Sequence, residues 1–191
     1  AIQMQFKKNT PYPVLIDEKA NLDEVVYDCC PGKGYDYVAL NEHTFGQLPE
    51  NWMTGVVKKS GVGYSGKDNI RLAGASGGVL TQTLLYLLET KQIDGAVVVK
   101  LGQNKPWQAE SIIATTSEEI IECAQSVYAP VPVNSILAKT SSFEGKLAYV
   151  GLPDQVAAIR KLQHANHQST ANIEYIFGPY VGINMYQDSL L

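Results

Sequence analysis

RLAGASGGVLTQTLLYLLETK, residues 71–91, is the stretch on which the reading of this chain turns. Gly74, Ala75, Ser76, Gly77 and Gly78 pass without a break into Val79, Leu80 and then the run LLYLL at 84–88. Apolar side chains at 80, 84, 87 and 88 recur at helical spacing and predict a helix over about residues 76–91. A glycine-rich turn entering a helix leaves the first backbone N–H groups without intrahelical acceptors, with the positive end of the helix dipole behind them. Such a mouth suits a phosphate or another anion, and the missing Cβ atoms at 77 and 78 would let a flat ligand approach the backbone. The same glycines equally serve a tight turn that packs a helix on a sheet, and the stretch alone does not choose between the two.

Working outward, Ile93, Asp94 and Gly95 turn into Ala96, Val97, Val98 and Val99, a short apolar run of the kind that forms a buried parallel strand. Residues 111–115 predict a second strand, and Thr116, Ser117, Glu118 and Glu119 carry capping chemistry for a helix to about residue 124. Residues 126–132 are stiffened by Pro130 and Pro132 and read as extended, while 133–139 read as helical. A strand follows at 146–151, then an amphipathic helix over 154–165 started by Pro153, and a last strand at 173–178. Before the central stretch, residues 1–28 read as an extended lead-in with a short helical turn at 22–26. Residues 29–37 carry turn chemistry, and 41–70 form a polar, glycine-punctuated connection around Tyr64. The alternation predicts an α/β fold, a largely parallel or mixed sheet with helices on both faces, in a single domain over 30–191 behind a lead-in at 1–29. Ligands of such sheets bind where the strands end, which gathers the loops at 74–78, 151–155 and 178–184.

Composition narrows the function classes. The chain has 191 residues, 45% hydrophobic and 18% charged, enough for one domain with a sizeable core. A net charge of -4 lacks the basic field that nucleic acid requires, and no apolar run reaches the about 18 residues of a membrane span. Ala1 opens without a signal-peptide pattern, as in a processed form or an excised segment. Cys29, Cys30 and Cys123 make no disulfide framework and point to a reducing, cytoplasmic compartment. They also fall short of the four thiols of an iron–sulfur cluster. His164 and His167 are one helical turn apart, but neither they nor His43 have a cysteine or carboxylate at ligand spacing, so no metal site is expected. Lys33, between Gly32 and Gly34, is placed either to reach a phosphate or to be a solvated turn lysine. Trp52, Trp107, Tyr64 and Tyr180 suit a flavin pocket or a core equally.

Gly74, Ser76 and Gly78 satisfy the G-x-S-x-G spacing of a nucleophile elbow, with Asp154 and then His164 or His167 in hydrolase order. Residues 67–71 are too polar for the buried strand an elbow needs, and Asp154 and His164 fall on one helix. A serine hydrolase therefore ranks behind the readings that follow.

Five segments resemble the beta-subunit family of coenzyme F420-reducing hydrogenases and formate dehydrogenases, which also includes chlorophyll-pathway reductases. They are CPGKGYDY at 30–37, RLAGASGGVLTQTLLYLLETKQIDGAVVV at 71–99, SVYAPVPVNSIL at 126–137, KLAYVGLPDQVAAIRKL at 146–162 and IFGPYVGINMY at 176–186. The resemblance implies an FAD-dependent oxidoreductase domain or electron-transfer subunit, partnered by deazaflavin or another redox subunit, with a homo-oligomer also expected. It implies cofactor contacts at Lys33, Arg71, Gly74, Ala75, Ser76, Gly77, Gly78, Ser126, Tyr128, Asp154 and Asn184. Asp154 stands where the family carries a cysteine, and residues 178–182 lack the cysteine of the later loop, so an iron–sulfur cluster is not expected within this chain. The alternative is a non-catalytic assembly subunit of the same fold that has lost its redox centres.

Overall fold

A computed structural model describes residues 2–7, 10–17, 19, 24–102, 108–183 and 185. Its first element is an antiparallel hairpin of β1 (Ile2–Lys7) and β2 (Thr10–Leu15), a two-stranded sheet of its own. The extended lead-in is thus extended but folded back on itself. A short helix α1 (Glu24–Asp28) and a 3-10 turn at Pro31–Lys33 lead to α2 (Tyr37–Phe45). Asp36 starts α2 by accepting from the Ala39 N–H at 3.0 Å, and Gly46 ends it in the left-handed conformation.

The expected connection over 41–70 therefore holds the end of α2 and the start of a further helix, α3 (Asp68–Ala73). α3 and α4 (Val79–Glu89) form a helical hairpin around the glycine turn. α4 begins at Val79 rather than near 76 because Gly77 and Gly78 both have φ of 70°, a left-handed backbone that a right-handed helix cannot include. It ends at Glu89, where the Thr90 N–H bonds back to the Tyr86 carbonyl and Lys91 turns left-handed.

The central sheet holds β3 (Gly95–Lys100), β4 (Glu110–Ala114), β5 (Leu147–Val150) and β6 (Ile173–Phe177) in the spatial order β4-β3-β5-β6. β3 pairs parallel with β5 and β5 with β6, while β4 returns antiparallel along the β3 edge. The sheet is mixed. Between β4 and β5 lie α5 (Ser117–Glu122), a 3-10 turn (Val133–Ile136) and α6 (Leu137–Thr140), and α7 (Pro153–His164) joins β5 to β6. The expected capping box is present: Thr116 Oγ1 accepts from the Glu119 N–H at 3.2 Å, and Glu119 Oε2 accepts from the Thr116 N–H at 3.3 Å.

Strand alternation splits the core into two layers. Ala96, Val98 and Ala148 face Leu84, Leu85 and Leu87 of α4, with Ile70 of α3 and Ile120 of α5. Val97, Leu147 and Tyr149 face the other way, onto Ile159 of α7 and onto Val133 and Ile136. Helices thus cover both faces, and each buried leucine contributes about 1.5–3 kcal/mol. The five-residue connection 90–94 folds α4 back on β3, which aims the glycine turn toward the edge where the parallel strands end. The loops after β5 and β6 lie on that edge and are joined by the Gly151 N–H donating to the Phe177 carbonyl at 3.1 Å.

Candidate functional site

The glycine turn is built from within. A Cβ on Gly78 would sit 2.7 Å from the Ile70 carbonyl oxygen, and one on Gly74 would sit 2.8 Å from the Gly78 Cα. A Cβ on Gly77 would lie 3.1 Å from the Tyr64 Cβ. The bare faces of these glycines are therefore filled by α3 and by the loop carrying Tyr64, not left open for a flat ligand. This corrects the close-approach role that sequence suggested for positions 77 and 78. What the turn does offer is backbone. Ala75 and Ser76 are exposed, and among the described residues the N–H groups of 75–81 make no hydrogen bond. These are the groups a helix start leaves over.

Two side chains join them. The Ser65 N–H donates to the Gly77 carbonyl at 2.7 Å and so holds the Tyr64 loop on the turn. The Arg71 guanidinium lies 4.2 Å above the Tyr64 ring. A cation, an aromatic face and unpaired amides thus share one exposed corner, and the chemistry suits an anion attached to a planar group. The preceding element is the helix α3, so the buried strand of a nucleophile elbow is absent, and Asp154 and His164 stand at opposite ends of α7.

The remaining candidates gather elsewhere on the same edge or beyond it. Asp154 is exposed in the first turn of α7. Close by, the buried Tyr149 hydroxyl donates to Asn134 Oδ1. Burial above all, with the Asp154 charge second, raises the Tyr149 phenol well above its ordinary value. Gln155 accepts from the Leu152 N–H at 2.9 Å and donates to the Val131 carbonyl at 3.3 Å, which knits the segments around 131–134 and 151–155 together. Ser126 and Tyr128 are exposed, and the Tyr128 carbonyl accepts from the Met185 N–H at 2.8 Å. Lys33 forms an exposed ion pair with Asp28 at 3.0 Å. Asn184 and Trp107 lie outside the described residues. Among the described residues, no hydrogen bond, ion pair or ring contact links the glycine turn to Lys33, Ser126, Tyr128 or Asp154.

Sequence reasoning missed Lys161. Its ammonium donates to the carbonyls of Asp28 at 3.0 Å, Cys30 at 3.3 Å and Gly34 at 2.6 Å, and so fastens the CPGKG loop to α7. His43 likewise meets His164, ring centroids 4.8 Å apart. Both contacts edge a cleft of about 870 Å³ between α1, α2 and the end of α7, away from the glycine turn. The cysteines are not grouped for a cluster: Cys29 and Cys30 sit in this loop, and Cys123 packs beside α5. No helix among the described residues is long and apolar enough to cross a membrane.

Fold and corner together define an α/β domain with an exposed stretch of unbonded amides at a helical hairpin. Residues 61–138, which contain that hairpin, match the family described as coenzyme F420 hydrogenase/dehydrogenase, beta subunit, N-terminal region. Over those residues the chain resembles this family. It is 34% identical over 111 residues to a coenzyme F420-dependent sulfite reductase of Methanocaldococcus jannaschii, a match covering 58% of this chain and 17% of that protein. It is 36% identical over 89 residues to the coenzyme F420 hydrogenase subunit beta of Methanosarcina barkeri, covering 46% and 30% respectively. A chain of the F420-reducing NiFe hydrogenase complex from Methanosarcina barkeri superposes with a TM-score of 0.62 at 29% identity, over 66% of this chain and 45% of that one. The chain thus spans less than a third of the length of these two curated relatives.

Proposed function

We propose that this chain is an electron-transfer subunit or domain that holds FAD at the α3–α4 corner and exchanges electrons with deazaflavin or with a redox subunit. The carrying observation is the pair of exposed residues Ala75 and Ser76, whose N–H groups make no hydrogen bond, beside the Arg71–Tyr64 pair. In this reading the amides of Ala75, Ser76 and Gly77 receive phosphate, Arg71 supplies the counter-charge and Gly74 and Gly78 shape the turn. Lys33, Ser126, Tyr128, Asp154 and Asn184 are assigned as outer contacts, within a cofactor domain spanning 30–191. Bound flavin supplies hydride and single-electron chemistry, and the chain supplies position and charge. The relatives named for coenzyme F420 support a deazaflavin as the exchanging partner. Free thiols accord with a reducing, cytoplasmic setting.

The test is titration of the whole chain into FAD, followed by quenching of flavin fluorescence. Saturable binding is expected, weakened about tenfold by Arg71→Glu, which corresponds to about 1.4 kcal/mol. Absence of saturable binding overturns the flavin reading. One observation favours the second reading, an assembly subunit without redox centres: Asp154 stands exposed where the resemblance places a cysteine. A chain that ignores FAD yet associates with a hydrogenase or dehydrogenase catalytic subunit would establish that role instead.

A further inference from the structure

The amino-terminal hairpin has two strands and, among the described residues, no third. Its register sets Ile2 against Leu15, Met4 against Pro13 and Phe6 against Pro11 on one face, with Gln3 against Val14 and Gln5 against Tyr12 on the other. The first face is apolar throughout, yet Ile2 is 45%, Phe6 48% and Leu15 42% exposed. A lone two-stranded ribbon is marginal in water, and one with an uncovered apolar face more so.

The prolines decide which edge is open. Pro11 and Pro13 have no N–H, so they occupy ladder positions whose N–H would point away from β1. Their partners Phe6 and Met4 are then non-hydrogen-bonded within the hairpin, and so is Ile2, two residues further along. The N–H and C=O groups of Ile2, Met4 and Phe6 therefore point out of the far edge of β1. The outer edge of β2 lacks two donors and resists a new strand, whereas the edge of β1 carries neither proline nor charge across positions 2–6.

We propose that a second copy of this chain pairs antiparallel on that edge, about a twofold axis through Met4, to give a four-stranded ribbon of two hairpins. The strand is its own complement in this register. Met4 meets its counterpart, and Ile2 meets Phe6 of the partner subunit, which continues the apolar face across the join. Gln3 meets the partner's Gln5 on the polar face, where each amide can both donate and accept. No like charges oppose one another between positions 2 and 6, and a slip of one residue would set apolar side chains among the glutamines. One short strand pair is small against the about 1,600 Å² of a standard interface, so the dimer is concentration-dependent. The proposal is independent of flavin binding.

Sedimentation of the full chain from low to several hundred micromolar tests it, with growing dimer expected. Met4→Pro removes an outward donor without touching a bond to β2, so it should leave the circular dichroism and melting temperature unchanged and weaken association at least tenfold. A parent that stays monomeric throughout overturns the proposal, as does a dimer that Met4→Pro leaves intact. Cross-linking tests the register even if the proline variant misfolds. With Cys29→Ser, Cys30→Ser and Cys123→Ser in place, Met4→Cys should oxidise to a covalent dimer, because directly opposed residues lie within disulfide reach. Gln3→Cys, offset from its own copy, should not. The reverse pattern overturns the register.

Discussion

Gly78 combines two constraints that sequence cannot separate, a left-handed backbone with φ of 70° and a Cβ position 2.7 Å from the Ile70 carbonyl oxygen. The first requires glycine for conformational reasons, and the second because α3 leaves no room for a methyl. Gly78→Ala is accordingly expected to cost about 2–4 kcal/mol, since strain and a collision with rigid backbone add. Gly66 has open space around its Cβ position and no positive φ, so Gly66→Ala should stay within about 0.5 kcal/mol. Urea unfolding of both variants checks the pair, and equal effects would mean that the turn is not held by α3. The glycine cluster itself was legible in the sequence, and its importance with it. Its purpose was not, because the atoms that fill the missing side-chain space belong to Ile70 and Tyr64, and no spacing rule connects these to residues 77 and 78.

At the scale of elements, α7 does more than cover the sheet. Lys161 reaches from it to three carbonyls of the 28–34 loop, and no other described side chain bonds that set. Lys161→Met keeps the aliphatic stem and removes these charge-assisted bonds, with an expected loss of about 1–3 kcal/mol. Amide hydrogen exchange should accelerate over 28–34 and stay unchanged in β3 and β5, a contrast that separates a local anchor from a global one. Lys161 lay inside a recognised sequence segment, yet its partners are backbone atoms distant in the chain, which pattern reading does not detect. The elements that were legible, β3, β5, β6, α4, α5 and α7, have apolar periodicity or capping residues strong enough to declare themselves. α3 is only six residues long and half of them are polar, so it read as loop. α2 carried a readable Asp36 start and Gly46 stop that an emphasis on loop chemistry passed over. β4 was legible as a strand, but its antiparallel direction is set by pairing along the β3 edge, which propensity does not encode.

Across the whole molecule, the pH dependence of stability follows from groups set against the core. Cys123 packs on the layer formed by α4, α5 and the sheet, and burial, partly countered by the nearby Lys100 charge, pushes its thiol up to about 11. Cys29 is raised too, again chiefly by burial. A thiol whose pKa is higher folded than unfolded holds its proton more tightly in the native state. Its contribution is therefore complete below the ordinary value of 9.0 and is lost as pH climbs toward about 11. On the acid side the sign reverses. Glu119, stabilised as a carboxylate chiefly by the Thr115 N–H, contributes above the ordinary carboxylate value and loses its contribution as pH falls through the depressed one. Lys100, raised by its hydrogen bond to Glu122, loses its contribution in the same alkaline direction as the thiols, so a fall in melting temperature at high pH does not by itself identify Cys123. Cys123→Ala isolates it. Parent and variant melted side by side from pH 9 to pH 11 should diverge, the parent losing more stability over that interval because only it has this thiol to ionise. Parallel curves would mean that the Cys123 thiolate is solvated in the native state as well as in the unfolded chain, and that Lys100, Cys29 or another group governs the alkaline limb.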